Sequence, residues 1–170
     1  DYCVMCSHTP ETLEMFKSAD FETKDLLSKF KFQKNEAVLH LDESVLPEKK
    51  IAWASWNYLS TESTCGNDSV SVSYLINKLQ PLPFKKSVIV TLNPVSNIDN
   101  NKIIKRISYQ HPIFSIETIL AQREIGNIQG RQRVYFSGAW LRYGFHEDGI
   151  LSSKTVINKL LEDDGMNEGF

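Results

Sequence analysis

A chain of 170 residues can bury one sizeable core, but two ordinary domains would be a squeeze. A hydrophobic content of 41% with 24% charged residues excludes a wholly disordered chain, and a net charge of −2 gives no footprint for nucleic acid. No apolar run reaches the ~18 residues of a membrane span, and the first residues lack the basic-then-apolar plan of a signal peptide, so neither is expected.

Three cysteines cannot all pair within the chain. Cys3 and Cys6 form a CxxC, but Tyr2 to Cys6 reads as a strand, and a separation of three puts the two thiols on opposite faces. Reduced, buried thiols and a cytoplasmic location are the expectation. No Cys/His spacing supports a metal.

Thr9, Pro10 and Glu11 open a helix, with Thr9 as the cap and Leu13 and Phe16 on the apolar face. A second helix is predicted after Asp20, presenting Leu26, Leu27 and Phe30. From Glu36 to Leu41 the residues Ala37, Leu39 and Leu41 alternate with Val38 and His40, which predicts a strand, and His40 reads as a satisfied strand histidine. The aromatic run Ile51 to Leu59 is expected to pair with it antiparallel. Thr61 to Asp68 is a polar loop, with a formal glycosylation sequon at Asn67 that reads as incidental. Val70, Val72 and Tyr74 alternate with serines as a strand; a helical turn to Leu79 ends before Pro81 and Pro83, and Lys86 to Leu92 is a further strand. A strand from Lys102 to Tyr109 is expected to break at Pro112, and Ser115 to Arg123 is helical in composition. The basic clusters Lys85-Lys86 and Lys102 to Arg106 read as solvated faces.

Chemistry concentrates between Arg131 and Leu161. Val134 to Phe136 is a β-branched and aromatic run; Gly138, Gly144 and Gly149 interrupt it; Ile150, Ile157, Leu160 and Leu161 then fall on one helical face. Asp148 can cap free backbone N–H groups at that helix start. The same helix end can instead hold the oxygens of a ligand, with Gly149 allowing close approach. Both readings stay open on the residues alone. EDDGMNEGF, residues 162–170, lacks apolar spacing and reads as frayed tail.

VYFSGAW followed by GFHEDGILSS resembles the carboxy-terminal flavin-binding segment of flavin-containing amine-oxidase-like proteins, with Gly144, Phe145, Glu147 and Ser152 in register. GAWLRYGFHEDG is similar, more narrowly, to the branch of predicted flavoproteins also found fused to some cyclopropane-fatty-acid synthases. Tyr2 to His8 resembles an internal strand of that family, and none of the eight glycines forms G-x-G-x-x-G, so the chain is expected to be a fragment without the pyrophosphate-binding turn. The resemblance implies FAD as cofactor. It implies backbone contacts around Gly138 and Ala139 to the ribityl or pyrophosphate, and around His146, Glu147, Asp148 and Gly149 to the pyrimidine edge of the flavin, with Trp140 and Tyr143 as walls and Gly144, Phe145 and Ile150 also in the cofactor site. Ala139 departs from the acidic residue usual there, which puts the ribityl contact in question. WASWNYL would lie in the substrate domain, with Trp56 and Tyr58, beside His146, as candidates for a catalytic role; His111 and Gln122 also match the branch, without assigned roles.

The fold expected is α/β: a partial FAD-binding Rossmann-like domain from residues 1–30 and 131–162, an inserted α+β mixed-sheet substrate domain over residues 31–130, and a frayed tail over 163–170. The function implied is FAD-dependent oxidation of an amine or lipid-like small molecule, with the isolated chain inactive. A flavin cofactor carries the hydride chemistry, so a missing nucleophile is no objection. The rival reading is a non-catalytic flavin-binding or interaction module that keeps the fold. The partners expected are FAD, the substrate and the remainder of the parent polypeptide, with no nucleic acid.

Overall fold

The computed structural model describes residues 1–61 and 69–165. In chain order its elements are β1 (Cys3–Met5), α1 (Thr9–Met15), α2 (Phe21–Ser28), β2 (Lys31–His40), β3 (Trp56–Thr61), β4 (Ser69–Leu75), α3 (Ile76–Leu79), β5 (Ile89–Leu92), β6 (Ile103–Ile113), α4 (Ile116–Glu124), β7 (Val134–Phe136) and α5 (His146–Asp163). The chain is mixed α/β and forms two compact units, Asp1–Gln33 with Pro112–Phe170, and Lys34–His111. Residues 112–130, read from sequence as part of the inserted piece, group with the first unit.

In the first unit β1 and β7 pair in parallel, Val4 opposite Tyr135. A parallel pair of distant strands has no hairpin to hold it, so helices must cover it. α2, the residue Phe30 that follows it, and α4 contribute Leu26, Leu27, Phe30 and Ala121 to a core that closes on Val134, Phe136, Trp140 and Leu141. α2 starts as its sequence predicts, with Asp20 accepting from Thr23 N at 2.8 Å, a cap of about 1 kcal/mol. The start of α1 differs. Thr9 is its first helical residue, not its cap, and the hydroxyl donates to Phe30 O at 3.1 Å. Buried in the core, that oxygen serves better to tie α1 to the end of α2.

α5 also corrects its expected buried face. Asp148, Ser152 and Val156, spaced by four, are buried, while Ile150 and Ile157 are 56% and 55% exposed. Polar contacts explain the rotation: Ser152 Oγ accepts from Gly138 N at 3.0 Å and sits 3.0 Å from Ser137 Oγ, so it is the serine side of α5 that meets the end of β7. The tail is not frayed where it is described. Asp163 closes α5 and accepts from Tyr135 Oη at 2.7 Å and Lys159 Nζ at 2.8 Å. Residues 166–170 lie outside the described residues.

The second unit is a five-stranded antiparallel sheet in the order β3-β4-β5-β2-β6. β3 therefore pairs with β4, Tyr58 opposite Val72, and not with β2 as expected. The short link from β3 to β4 makes them a hairpin, which leaves β2 to be filled by β5 and β6. Ile51 to Ser55 is outside β3 as well, since Lys50–Ala52 forms a 3-10 turn. Pro112 does not break β6, which runs to Ile113. On an edge strand a missing N–H costs no ladder bond. The polar loop and its Asn67 sequon fall mostly in residues 62–68, outside the described residues.

One sheet face packs Val38, Leu75 and Ile89 under Val45, Leu46 and Ile98. The serines of β4 lie on this covered side, Ser71 and Ser73 being buried. They are satisfied by Leu92 O at 3.1 Å and Thr91 Oγ1 at 2.9 Å, as a buried hydroxyl requires.

Candidate functional site

The first unit holds the strand, turn and helix start from Val134 onward. β7 ends at Phe136, the chain passes through Ser137 and Gly138, and Ala139–Leu141 makes a 3-10 turn before α5 begins at His146. Gly144 requires its glycine, with φ at +89° and N donating to Ala139 O at 3.1 Å. Gln122, which sequence reasoning left without a role, donates to Trp140 O at 2.9 Å and Arg142 O at 2.7 Å and so pins the turn from α4.

Asp148 lies in the first turn of α5, not before it. Its Oδ2 accepts from Phe145 N at 3.0 Å and Tyr143 N at 3.2 Å, and its Oδ1 is 3.5 Å from Arg142 Nε. The carboxylate is thus spent on the entering loop. The N–H groups of His146 and Glu147 have no acceptor among the described residues, as first-turn groups of a helix do unless capped. His146, Glu147, Tyr143 and Phe145 are exposed around them. The His146 ring has no hydrogen-bond partner among the described residues.

The three glycines differ in what they leave open. A Cβ on Gly138 would overlap the indole Nε1 and Cδ1 of Trp140, so that space is filled by the chain itself. A Cβ on Gly149 would meet only Ala139, at 3.9 Å from its Cβ, an ordinary contact. Gly149 is therefore not required by packing. Trp140 is buried edge-on to Phe30 at 4.7 Å between ring centroids, and its Nε1 donor has no partner among the described residues. An unpaired buried N–H costs about 1–3 kcal/mol, which marks it as a donor in want of an acceptor. A cleft of about 280 Å³ beside the turn is lined by Ile125, Gln129, Leu141, Arg142, Leu151, Ser152 and Thr155. It includes none of His146, Glu147 or Gly149, and no sequence signal marked it.

The second unit supplies the other predicted group. Trp56 and Tyr58 are 66% and 69% exposed. The registers line them up with their neighbours in two rows across the sheet, Ala37–Leu92–Val72–Tyr58 and Leu39–Val90–Tyr74–Trp56. With strands about 4.8 Å apart each row is about 14 Å long. Trp56 rests edge-on to Tyr74 at 5.9 Å. Trp53 is not on this surface; its Nε1 donates to Pro47 O at 2.7 Å. Asn57 is used structurally, exchanging bonds with Ala54 N at 3.0 Å and Ala54 O at 2.8 Å.

His40 is the satisfied strand histidine expected. Nδ1 accepts from Asp42 N at 3.1 Å and Nε2 lies 2.8 Å from Thr91 Oγ1. Because a backbone N–H can only donate, the ring proton sits on Nε2. Burial pushes its pKa down, the Asp42 charge opposes this and Arg106 adds to it. Cys3 and Cys6 are free and exposed, which corrects the expectation of buried thiols. No protein-family model matches the chain, and no curated protein matches it.

Proposed function

We propose that this chain is part of an FAD-dependent oxidoreductase of the amine-oxidase-like kind, its first unit a portion of a Rossmann-like flavin-binding domain and its second a substrate-binding sheet. The observation that carries the reading is the start of α5: two unpaired N–H groups and, at Gly149, room on the helix that packing within the chain does not claim. That is the arrangement a helix needs to approach an anionic or carbonyl edge of a ligand.

Two further observations support it. Gln129 mimics a neighbouring strand on β7, accepting from Phe136 N and donating to Phe136 O, both at 2.8 Å, which blocks that edge and leaves growth of the parallel sheet to the β1 side. The unpaired Trp140 Nε1 is a donor of the kind a polar cofactor satisfies. FAD, when bound, supplies the hydride chemistry. The residues that would hold it are His146 and Glu147 through their backbone N–H groups, with Gly149 leaving room beside them and Phe145 and Tyr143 as apolar walls. Gly138 and Ala139 carry less of the binding, since Trp140 already fills the space beside Gly138. That filled space favours the second reading, a module that keeps the fold without turnover.

The test is the visible flavin absorbance of the complete polypeptide that carries this chain. Retained flavin, lost on Gly149→Leu with circular dichroism unchanged, is the expected result. A folded Gly149→Leu protein with full flavin occupancy overturns the placement, and a flavin-free complete polypeptide overturns the reading. The isolated chain is expected to bind FAD weakly.

A further inference from the structure

At the β6 end of the sheet face that carries Trp56 and Tyr58 stands a histidine whose tautomer is set by a chain of amides. Glu36 N donates to Asn93 Oδ1 at 3.0 Å, Asn93 Nδ2 to Asn35 Oδ1 at 2.8 Å, and Asn35 Nδ2 meets His111 Nδ1 at 2.8 Å. A backbone N–H can only donate, so each amide in turn has one permitted orientation, and His111 Nδ1 must accept. In its neutral form the ring then carries its proton on Nε2, for which the described residues offer no acceptor. Asn93 holds this geometry with φ at +47°, a left-handed conformation that asparagine adopts more readily than most residues. Asn35 alternates along β2 with Glu36 and shares the side of Ala37 and Leu39, the residues that begin the two apolar rows.

We propose that His111 is a ligand-binding residue of this face, donating from Nε2–H to an oxygen acceptor at one end of an elongated apolar substrate, with Asn35 and Asn93 as its positioning residues. The proposal rests on the substrate-sheet reading above and narrows its substrate class. A donor at the head of an uncharged apolar strip suits a carbonyl, carboxylate or hydroxyl group and disfavours a protonated amine, which has no lone pair to offer. Trp56 and Tyr58, at the far end of the rows, would receive the apolar body.

The experiment is long-range ¹H–¹⁵N NMR of the histidine-labelled full chain in alkaline buffer, with His111→Phe assigning the signal. 4-Phenylbutan-2-one and 4-phenylbutyrate are titrated as acceptor probes and 4-phenylbutylammonium as the amine. The expected results are an Nε2–H tautomer at His111, a shift of that nitrogen with the acceptor probes, and binding weakened roughly two- to tenfold both for the ammonium and in His111→Phe, the worth of one hydrogen bond. Asn35→Asp keeps the contact to Asn93 but turns the donor facing His111 into an acceptor, so it moves the ring proton to Nδ1 and weakens the acceptor probes without unfolding the sheet. An Nδ1–H tautomer in the unsubstituted chain, or probe affinities equal for ketone and ammonium, overturns the proposal. Flavin plays no part in these measurements, so their failure leaves the flavoprotein reading standing, and a flavin-free polypeptide leaves the His111 result intact.

Discussion

The backbone N–H of Asp42 donates to Nδ1 of His40 at 3.1 Å, so the segment that leaves β2 is tied to a ring that must be unprotonated to accept it. The folded pKa of His40 is held below 6.5 by burial. The unfolded chain then binds the proton more tightly, and stability falls as pH drops below 6.5 towards the folded value, by at most roughly 1.4 kcal/mol per pH unit. Asp42 acts in a second, lower window. Burial alone would raise its carboxyl, but the Asp99 backbone, the Lys102 ammonium and Ser44 outweigh it and hold it below 3.8, so its contribution is lost as pH falls below that value. Urea unfolding across pH should show that the His40→Gln chain, although less stable, lacks the first of the two declines relative to the unsubstituted chain. Parallel curves through that window would refute the assignment.

Gln129 supplies both hydrogen bonds of Phe136, a residue buried at the end of β7. Gln129→Leu fills similar volume but leaves a buried donor and acceptor unpaired, and is expected to cost about 2–4 kcal/mol. Chemical denaturation measures it. A loss under half a kilocalorie, on the scale of a surface change, would mean that water replaces the amide.

Gly138→Ala forces the Trp140 indole from its place against Phe30. The overlap involves a ring with little room to turn, and overpacking of this kind costs about 1–3 kcal/mol. Near-ultraviolet circular dichroism should report the displaced tryptophan together with a lower melting temperature. An unchanged spectrum would show that the turn yields instead of the ring.

Gly149→Ala should do the reverse. The new methyl meets Ala139 at ordinary contact distance, and alanine in a helix is better than glycine by about 0.5–1 kcal/mol. A raised melting temperature in the isolated chain, with no loss of helical signal, is the expected outcome. Destabilisation would place hidden packing at Gly149 and remove the reason to read that space as a ligand's.

What the sequence determined by itself is local. The Asp20 cap with its apolar partners Leu26, Leu27 and Phe30 defines α2, because capping and periodicity are written within a dozen residues. The run Val134 to Phe136 followed by glycines likewise announces a strand, a turn and a helix start. Which faces are buried was decided only in three dimensions. The apolar stripe through Ile150 and Ile157 reads as the inner face of α5, yet Ser137, Gly138 and Ser152 satisfy one another's polar groups and turn the serine side inward. Strand partners were decided there too: Ile51 to Leu59 looks as ready to meet β2 as β4, and only the ordering of all five strands places Trp56 and Tyr58 at the edge. The orientation of His111 is the furthest from sequence. It depends on Asn35, Glu36 and Asn93, which lie up to 76 positions from it in the chain, and hydrogen bonds across such distances leave no periodicity to read.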